Sequence, residues 1–112
     1  MPYELNGTPI ACDANGYLTD INDWSEELAP VIAATEEIEL TDKHMDVIRY
    51  LRDEYINNGQ NQPNERTILK AMGEIWGGRV SSKDLYDLFP RMPSKQGGKI
   101  AGLPESRRKG GY

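Results

Sequence analysis

One cysteine, Cys12, and one histidine, His44, are all that the chain holds of either residue. A single thiol cannot close a disulfide within one chain or build a cysteine-based metal cluster. With one histidine and no serine and aspartate set around it, no hydrolytic triad is expected. No run of about eighteen apolar residues occurs, which excludes a membrane-spanning helix. The opening Met1-Pro2-Tyr3-Glu4-Leu5 lacks the basic and apolar regions of a signal peptide, so a cytoplasmic location is the expectation. There is no phosphate-cradling glycine loop and no internal repeat. No cofactor is expected.

What is present fits one small domain: 112 residues, 38% of them hydrophobic, enough for a single modest core. The net charge of −5 conceals a polarity. Residues 1–90 carry 7 Lys and Arg against 17 Asp and Glu, whereas residues 91–112 carry 6 against 1. An acidic body with a cationic end either folds that end back on itself or offers it to an acidic or phosphate-bearing partner, unless it is simply solvated.

Asn6-Gly7 between Tyr3-Glu4-Leu5 and Ile10-Ala11-Cys12 predicts a short β-hairpin over residues 2–12. The rest predicts helix. Asn22 or Asp23 caps a segment to about Thr35 that Pro30 kinks or shortens. Thr41 caps a strong helix to about Asn58, with Ile48, Leu51 and Tyr55 on one side. Pro63 suits the first turn of the next helix, with Ile68, Leu69, Met72, Ile75 and Trp76 on its apolar side, stopped by Gly77-Gly78. Ser81 with Asp84 opens a short helix through Leu85, Leu88 and Phe89. Pro90 and Pro93 break the chain. Ser94 to Ile100 adds a turn or two weakened by Gly97 and Gly98, and mobility is expected beyond Gly102. The fold class is therefore mainly α with a small β component (α+β): a helical bundle with a helix-turn-helix-like part and an N-terminal hairpin. Its body is residues 1–93 and its flexible C-terminal arm is residues 94–112.

Several residues invite a chemical role. Cys12 stands beside Asp13, whose charge would raise a thiol pKa, so an inert half-buried thiol is the ordinary expectation and a sulfur acceptor the alternative. His44 falls between Asp42 and Asp46 at a helix start, but the three do not converge, and no metal site is expected. Arg66 and Lys70, four apart on one helix face, precede Arg79 and Lys83 across a glycine turn, as in a DNA-binding helix-turn-helix. The acidic body opposes binding to phosphate backbones, so an ordinary helical hairpin is the expectation and nucleic-acid binding the weaker alternative. Trp24, Trp76, Tyr50, Tyr55, Tyr86 and Phe89 are expected as core or half-buried anchors. Glu36-Glu37 with Glu39 is expected as a solvated acidic turn.

Asn22-Asp23-Trp24, Leu40-Thr41-Asp42-Lys43-His44, Leu85-Tyr86-Asp87-Leu88-Phe89-Pro90, Pro93-Ser94-Lys95-Gln96 and Lys99-Ile100-Ala101-Gly102-Leu103-Pro104 follow one another in the chain. This ordered set resembles the DsrC/TusE family, which includes sulfur-relay proteins and the gamma subunit of dissimilatory sulfite reductase. The resemblance covers nearly the whole chain. It implies a small helical fold with an N-terminal hairpin, and a sulfur carried on a cysteine next to the C-terminal residue of a swinging arm. In some members a second cysteine lies upstream in the arm. Here the two matching positions hold Gly98 and Gly111, and Arg107-Arg108-Lys109 look like extra residues. Glycine cannot form a persulfide, so neither position carries the sulfur chemistry. The resemblance also implies that Arg66 matches a family arginine that helps position the arm.

Three functions follow as expectations. The first is a non-catalytic or regulatory relative that docks on a sulfite-reductase-like or sulfur-relay protein, with partner-binding residues Arg66, Lys70, Lys95, Lys99, Leu103 and Pro104. The second is sulfur transfer kept by another route, through Cys12 or with help from another protein. The third is a DNA-binding regulator.

Overall fold

The structure, a computed structural model, describes residues 3–105. Strands β1 (Tyr3–Leu5) and β2 (Thr8–Ile10) pair antiparallel, with Tyr3 opposite Ile10 and Leu5 opposite Thr8. Asn6 and Gly7 turn between them with φ of 53° and 81°. Two successive positive φ values match the twist of paired strands, and these two residue types tolerate them best. Cys12 then forms an isolated antiparallel bridge with Leu18.

The expected helix from residue 22 or 23 to 35 is divided. Ile21–Asp23 makes only a 3-10 turn, capped by the Asp20 carboxylate, and α1 begins at Ala29 and ends at Thr35. Pro30 occupies the first turn of α1, where its missing N–H costs nothing, while its ring blocks the helical carbonyl of Glu26 and bars extension upstream. Helix α2 (Asp42–Asn57) is capped by Thr41 as expected. Helix α3 (Glu65–Trp76) starts two residues later than Pro63 suggested. Asn64 is the cap, its side chain accepting from the Thr67 amide, and Pro63 is buried just before it. Gly77 ends α3 in the left-handed conformation at φ 70°. Ser81 and Asp84 form the reciprocal cap that opens α4 (Ser82–Leu88).

Helix α5 (Pro93–Ile100) packs against α1, α2, α3 and α4. The arm expected from residue 94 therefore starts as a core helix: Gln96, Gly97, Gly98, Ile100, Ala101, Gly102 and Leu103 are all buried. Of the two glycines that weaken this helix locally, Gly97 is the one that lets it enter. A Cβ on Gly97 would stand 3.0 Å from Leu51 Cδ1 of α2, so the bare backbone permits the close crossing. Around α5 lie Leu28, Ile32, Ile48, Leu51, Ile68, Met72, Leu85 and Phe89, each at most 2% exposed. The apolar face of α3 is buried only at Ile68 and Met72, and Ile75 is exposed. Tyr86, expected as an anchor, is 41% exposed. Among the described residues no helix is long and apolar enough to cross a membrane. Residues 106–112, with Arg107, Arg108, Lys109 and Gly111, lie outside the described residues.

Candidate functional site

The segment from α5 to Glu105 is held by side chains drawn from distant parts of the chain. At its start, Pro93 provides no amide and the next one, on Ser94, donates to Glu65 Oε1 at 2.7 Å. In its middle, Gln96 Nε2 donates to Glu36 Oε1 at 3.0 Å and Lys99 Nζ to Glu36 Oε2 at 2.8 Å. The Gln96 side-chain Oε1 accepts from the Arg91 amide at 3.0 Å, which closes the turn before the helix.

Its far end carries the carbonyls that no helical amide can satisfy. Trp24 Nε1 donates to the Ile100 carbonyl at 2.8 Å, and Arg52 Nη1 to the Ala101 carbonyl at 2.8 Å. Gln62 Nε2 donates to the Pro104 carbonyl at 2.8 Å, and Asn15 Nδ2 to Glu105 Oε1 at 2.9 Å. Gly102 turns the chain at φ 75° beneath Trp24, where a Cβ would come within 2.6 Å of the indole. Only glycine fits both the backbone angle and the space.

Glu36 was expected in a solvated acidic turn. Instead its side chain is 14% exposed and pairs with Lys99, itself 15% exposed. Burial alone would raise the Glu36 carboxyl pKa, but the hydrogen bonds from Lys99 and Gln96 outweigh it and hold the group below the ordinary glutamate value. Nearby, Tyr17 is pushed up to about 12, first by burial and then by the charges of Glu105, Glu36 and Asp13. The Tyr3 hydroxyl donates to the Gly16 carbonyl at 2.6 Å.

These residues wall a cleft of about 330 Å³, lined by Tyr3, Cys12, Asp13, Asn15, Glu36 and Lys99, among others. Cys12 is half-buried there. In the sequence its only charged neighbour is Asp13; the fold adds the ion pair of Glu36 and Lys99, the latter from α5. That juxtaposition joins residues 87 positions apart and has no local signal.

His44 belongs to the polar start of α2, where it completes the capping box with Thr41, but it is buried there. It is 6% exposed, with its ring edge against Phe89 at 5.1 Å. Nδ1 accepts from the Thr41 amide at 3.0 Å, so the proton sits on Nε2, which donates to the Leu88 carbonyl at 2.9 Å. Burial lowers its pKa, only partly opposed by the Leu88 hydrogen bond. Asp46 accepts from Trp76 Nε1 at 2.8 Å. Both residues are thus committed within the fold.

The expected partner-binding residues separate into two sets. Arg66 and Lys70 are exposed on α3, and Lys95 is half-buried on α5. Lys99 is tied to Glu36, Leu103 is a core residue at 1% exposure, and Pro104 gives its carbonyl to Gln62. Gly98 is buried in α5, yet no described heavy atom lies within 4 Å of where its Cβ would be. Arg52, Trp24 and Gln62 were not singled out from the sequence. Arg52 had a legible signal, since it stands four residues after Ile48 on the apolar side of α2. A cation there must find partners inside.

The family profile described as "DsrC like protein" matches residues 4–108. The sulfurtransferase TusE of Pectobacterium atrosepticum is 47% identical over 103 residues, spanning 91% of this chain and 94% of that protein. The NMR structure of Allochromatium vinosum DsrC superposes with a TM-score of 0.85 at 40% identity, covering 96% of each chain. The oxidized gamma subunit of dissimilatory sulfite reductase (DsrC) from Archaeoglobus fulgidus gives a TM-score of 0.88 at 34% identity, covering 96% of this chain and 98% of that one. The gripped terminal helix, the hairpin and the ordered motifs are thus parts of one shared scaffold, and the chain belongs to the DsrC-like protein family.

Proposed function

We propose that this protein works in sulfur relay as a docking member that recognises a sulfite-reductase-like or sulfur-relay partner without itself carrying sulfur on its arm. The observation behind this reading is a family scaffold kept over nearly the whole chain; the resemblance of the arm motifs matches Gly98 to the upstream thiol position. The second position, Gly111, lies beyond both the described residues and the family match. Cys12 is the one cysteine of the 112 residues, so none stands among residues 94–112. Such a protein competes with a thiol-bearing relative for the same partner, or holds that partner in a set state.

The test has two readouts on the full chain. Purified protein is offered a persulfide donor and then examined by intact mass. In parallel it competes with a thiol-bearing family member for that member's sulfur-relay partner. Competition without a sulfur adduct supports the reading. A stable adduct passed on to an acceptor overturns it, as does failure to compete at any concentration.

A second reading is favoured by one observation, the shared cleft of Cys12 and Lys99. On this reading the Cys12 thiolate takes the terminal sulfur from a donor persulfide, and the donor leaves as a thiolate. Loss of the adduct in Cys12→Ser identifies this route. An adduct that survives Cys12→Ser rejects it.

A further inference from the structure

We infer that Arg107-Arg108-Lys109, in the segment that follows the described residues, pairs with Asp13 and Glu105 and so closes over the Cys12 cleft as a cationic lid. The inference goes beyond the docking function proposed above and does not depend on it.

The cleft lies where the described chain ends. Glu105 is the last described residue, and Asn15, which lines the cleft, donates through Nδ2 to Glu105 Oε1 at 2.9 Å. The backbone is anchored one residue earlier, where Gln62 holds the Pro104 carbonyl. An extended residue spans at most about 3.5 Å, so Lys109, four residues on, stays within about 14 Å of Glu105. Arg107 and Arg108 stay closer still. A tether this short holds its cations near the cleft at roughly millimolar effective concentration.

The cleft leaves carboxylates unmatched. Glu36 and Lys99 face each other at 2.8 Å and cancel. Arg91 also acts on Glu36, but it does not line the cleft. Asp13 and Glu105 remain. Both are exposed, and neither pairs with a cation among the described residues. Asp13 Oδ1 accepts from the Asn15 and Tyr17 amides at 2.9 and 3.0 Å, which fixes this carboxylate beside the residue that holds Glu105. The charges of Glu105, Glu36 and Asp13 all reach Tyr17, so the three carboxylates stand around one ring. Lys99, 5.9 Å from that ring centre, is already spent on Glu36.

Residues 106–112 supply the missing sign: three cations and no acid. Charge complementarity and the tether together select this segment over a partner's, because a partner's cations arrive without the tether. A single exposed ion pair contributes little, so the lid depends on all three cations together and weakens with salt.

The test is carbodiimide coupling, which joins an amine to a carboxylate in contact with it, followed by peptide mapping of the full chain. Lys83 and Asp87, an exposed pair at 3.0 Å, serve as the internal reference. The expected product is a Lys109–Asp13 bond within one chain. Its yield relative to the reference falls about threefold in R107Q/R108Q, and falls again at about 1 M salt. The inference is overturned if the reference couples and Lys109–Asp13 does not, or if Lys109 couples equally to the carboxylates of α4. A bond that forms only between chains, or one insensitive to R107Q/R108Q, overturns it as well.

A second readout addresses the cleft itself. Cys12 is reacted with a bulky and with a small neutral thiol reagent, and the ratio of the two rates cancels any change in thiol ionisation. That ratio rises about threefold in R107Q/R108Q/K109Q, because the bulky reagent then enters freely. An unchanged ratio overturns the lid and leaves the sulfur-relay reading untouched, since neither measurement involves sulfur transfer or a partner.

Discussion

The Arg52 guanidinium carbon lies 4.3 Å from the centre of the Trp24 ring, and the two side chains donate to consecutive carbonyls, Trp24 to Ile100 and Arg52 to Ala101. The stack fixes the planar cation and leaves its N–H groups pointing at the end of α5. Arg52 also reaches the Ile21 carbonyl at 3.4 Å, joining the segment before α1 to the end of the chain's core. This pair fixes the C-terminal end of α5 against the segment before α1 and against α2.

Removing the cation tests the grip. Arg52→Ala loses a charge-assisted hydrogen bond and the ring stack, about 2–3 kcal/mol together. Trp24→Phe keeps an aromatic face but loses the N–H, about 1–2 kcal/mol. Urea unfolding gives the totals. Hydrogen exchange at residues 101–103 accelerates in Arg52→Ala beyond the change in global stability.

The glycines of the last helix give opposite signs. Gly98→Ala gains up to about 1 kcal/mol, because alanine is the better helix former and no described atom crowds the new methyl. Gly102→Ala loses roughly 2–4 kcal/mol, from a left-handed residue and from overpacking against Trp24. Thermal melts of the two variants on either side of the parent check the pair.

His44 makes stability depend on pH. Its folded pKa lies below the ordinary 6.5, so the unfolded chain binds the proton more readily. The stabilisation is complete above about pH 6.5 and declines as pH falls from there toward the lowered folded value. A proton on Nδ1 would face the Thr41 amide, which already donates to that nitrogen. His44→Gln flattens the stability profile across roughly pH 5–7, as measured by urea midpoints.

Tyr17 acts at the other end of the scale. The unfolded phenol ionises near 10.0 and the folded one at about 12. Its contribution is therefore intact below about pH 10 and is lost as pH rises through about 12. Tyrosinate absorbance should show a late-titrating phenol that disappears in Tyr17→Phe, and that variant should lose less stability between those two pH values.

Local chemistry alone determined a good deal of this protein. Asn6-Gly7 specified the hairpin turn, Thr41 and the Ser81/Asp84 pair the starts of α2 and α4, and Gly77 the stop of α3, because each acts through its own backbone angles or its nearest amides. The ordered motifs likewise placed the chain in its family, and composition showed that Cys12 is the one cysteine of the 112 residues. Only the tertiary structure decided what the glycine-rich end does. Read locally, Gly97 and Gly98 weaken a helix; read in three dimensions, the bare Gly97 backbone lets α5 cross close to Leu51. The same holds for Glu36, His44 and Arg52, which pattern reading left solvated or unassigned. A buried charge or ring is tolerated only when distant groups satisfy it, and those partners, Lys99, Leu88 and Ala101, lie 63, 44 and 49 residues away in the chain.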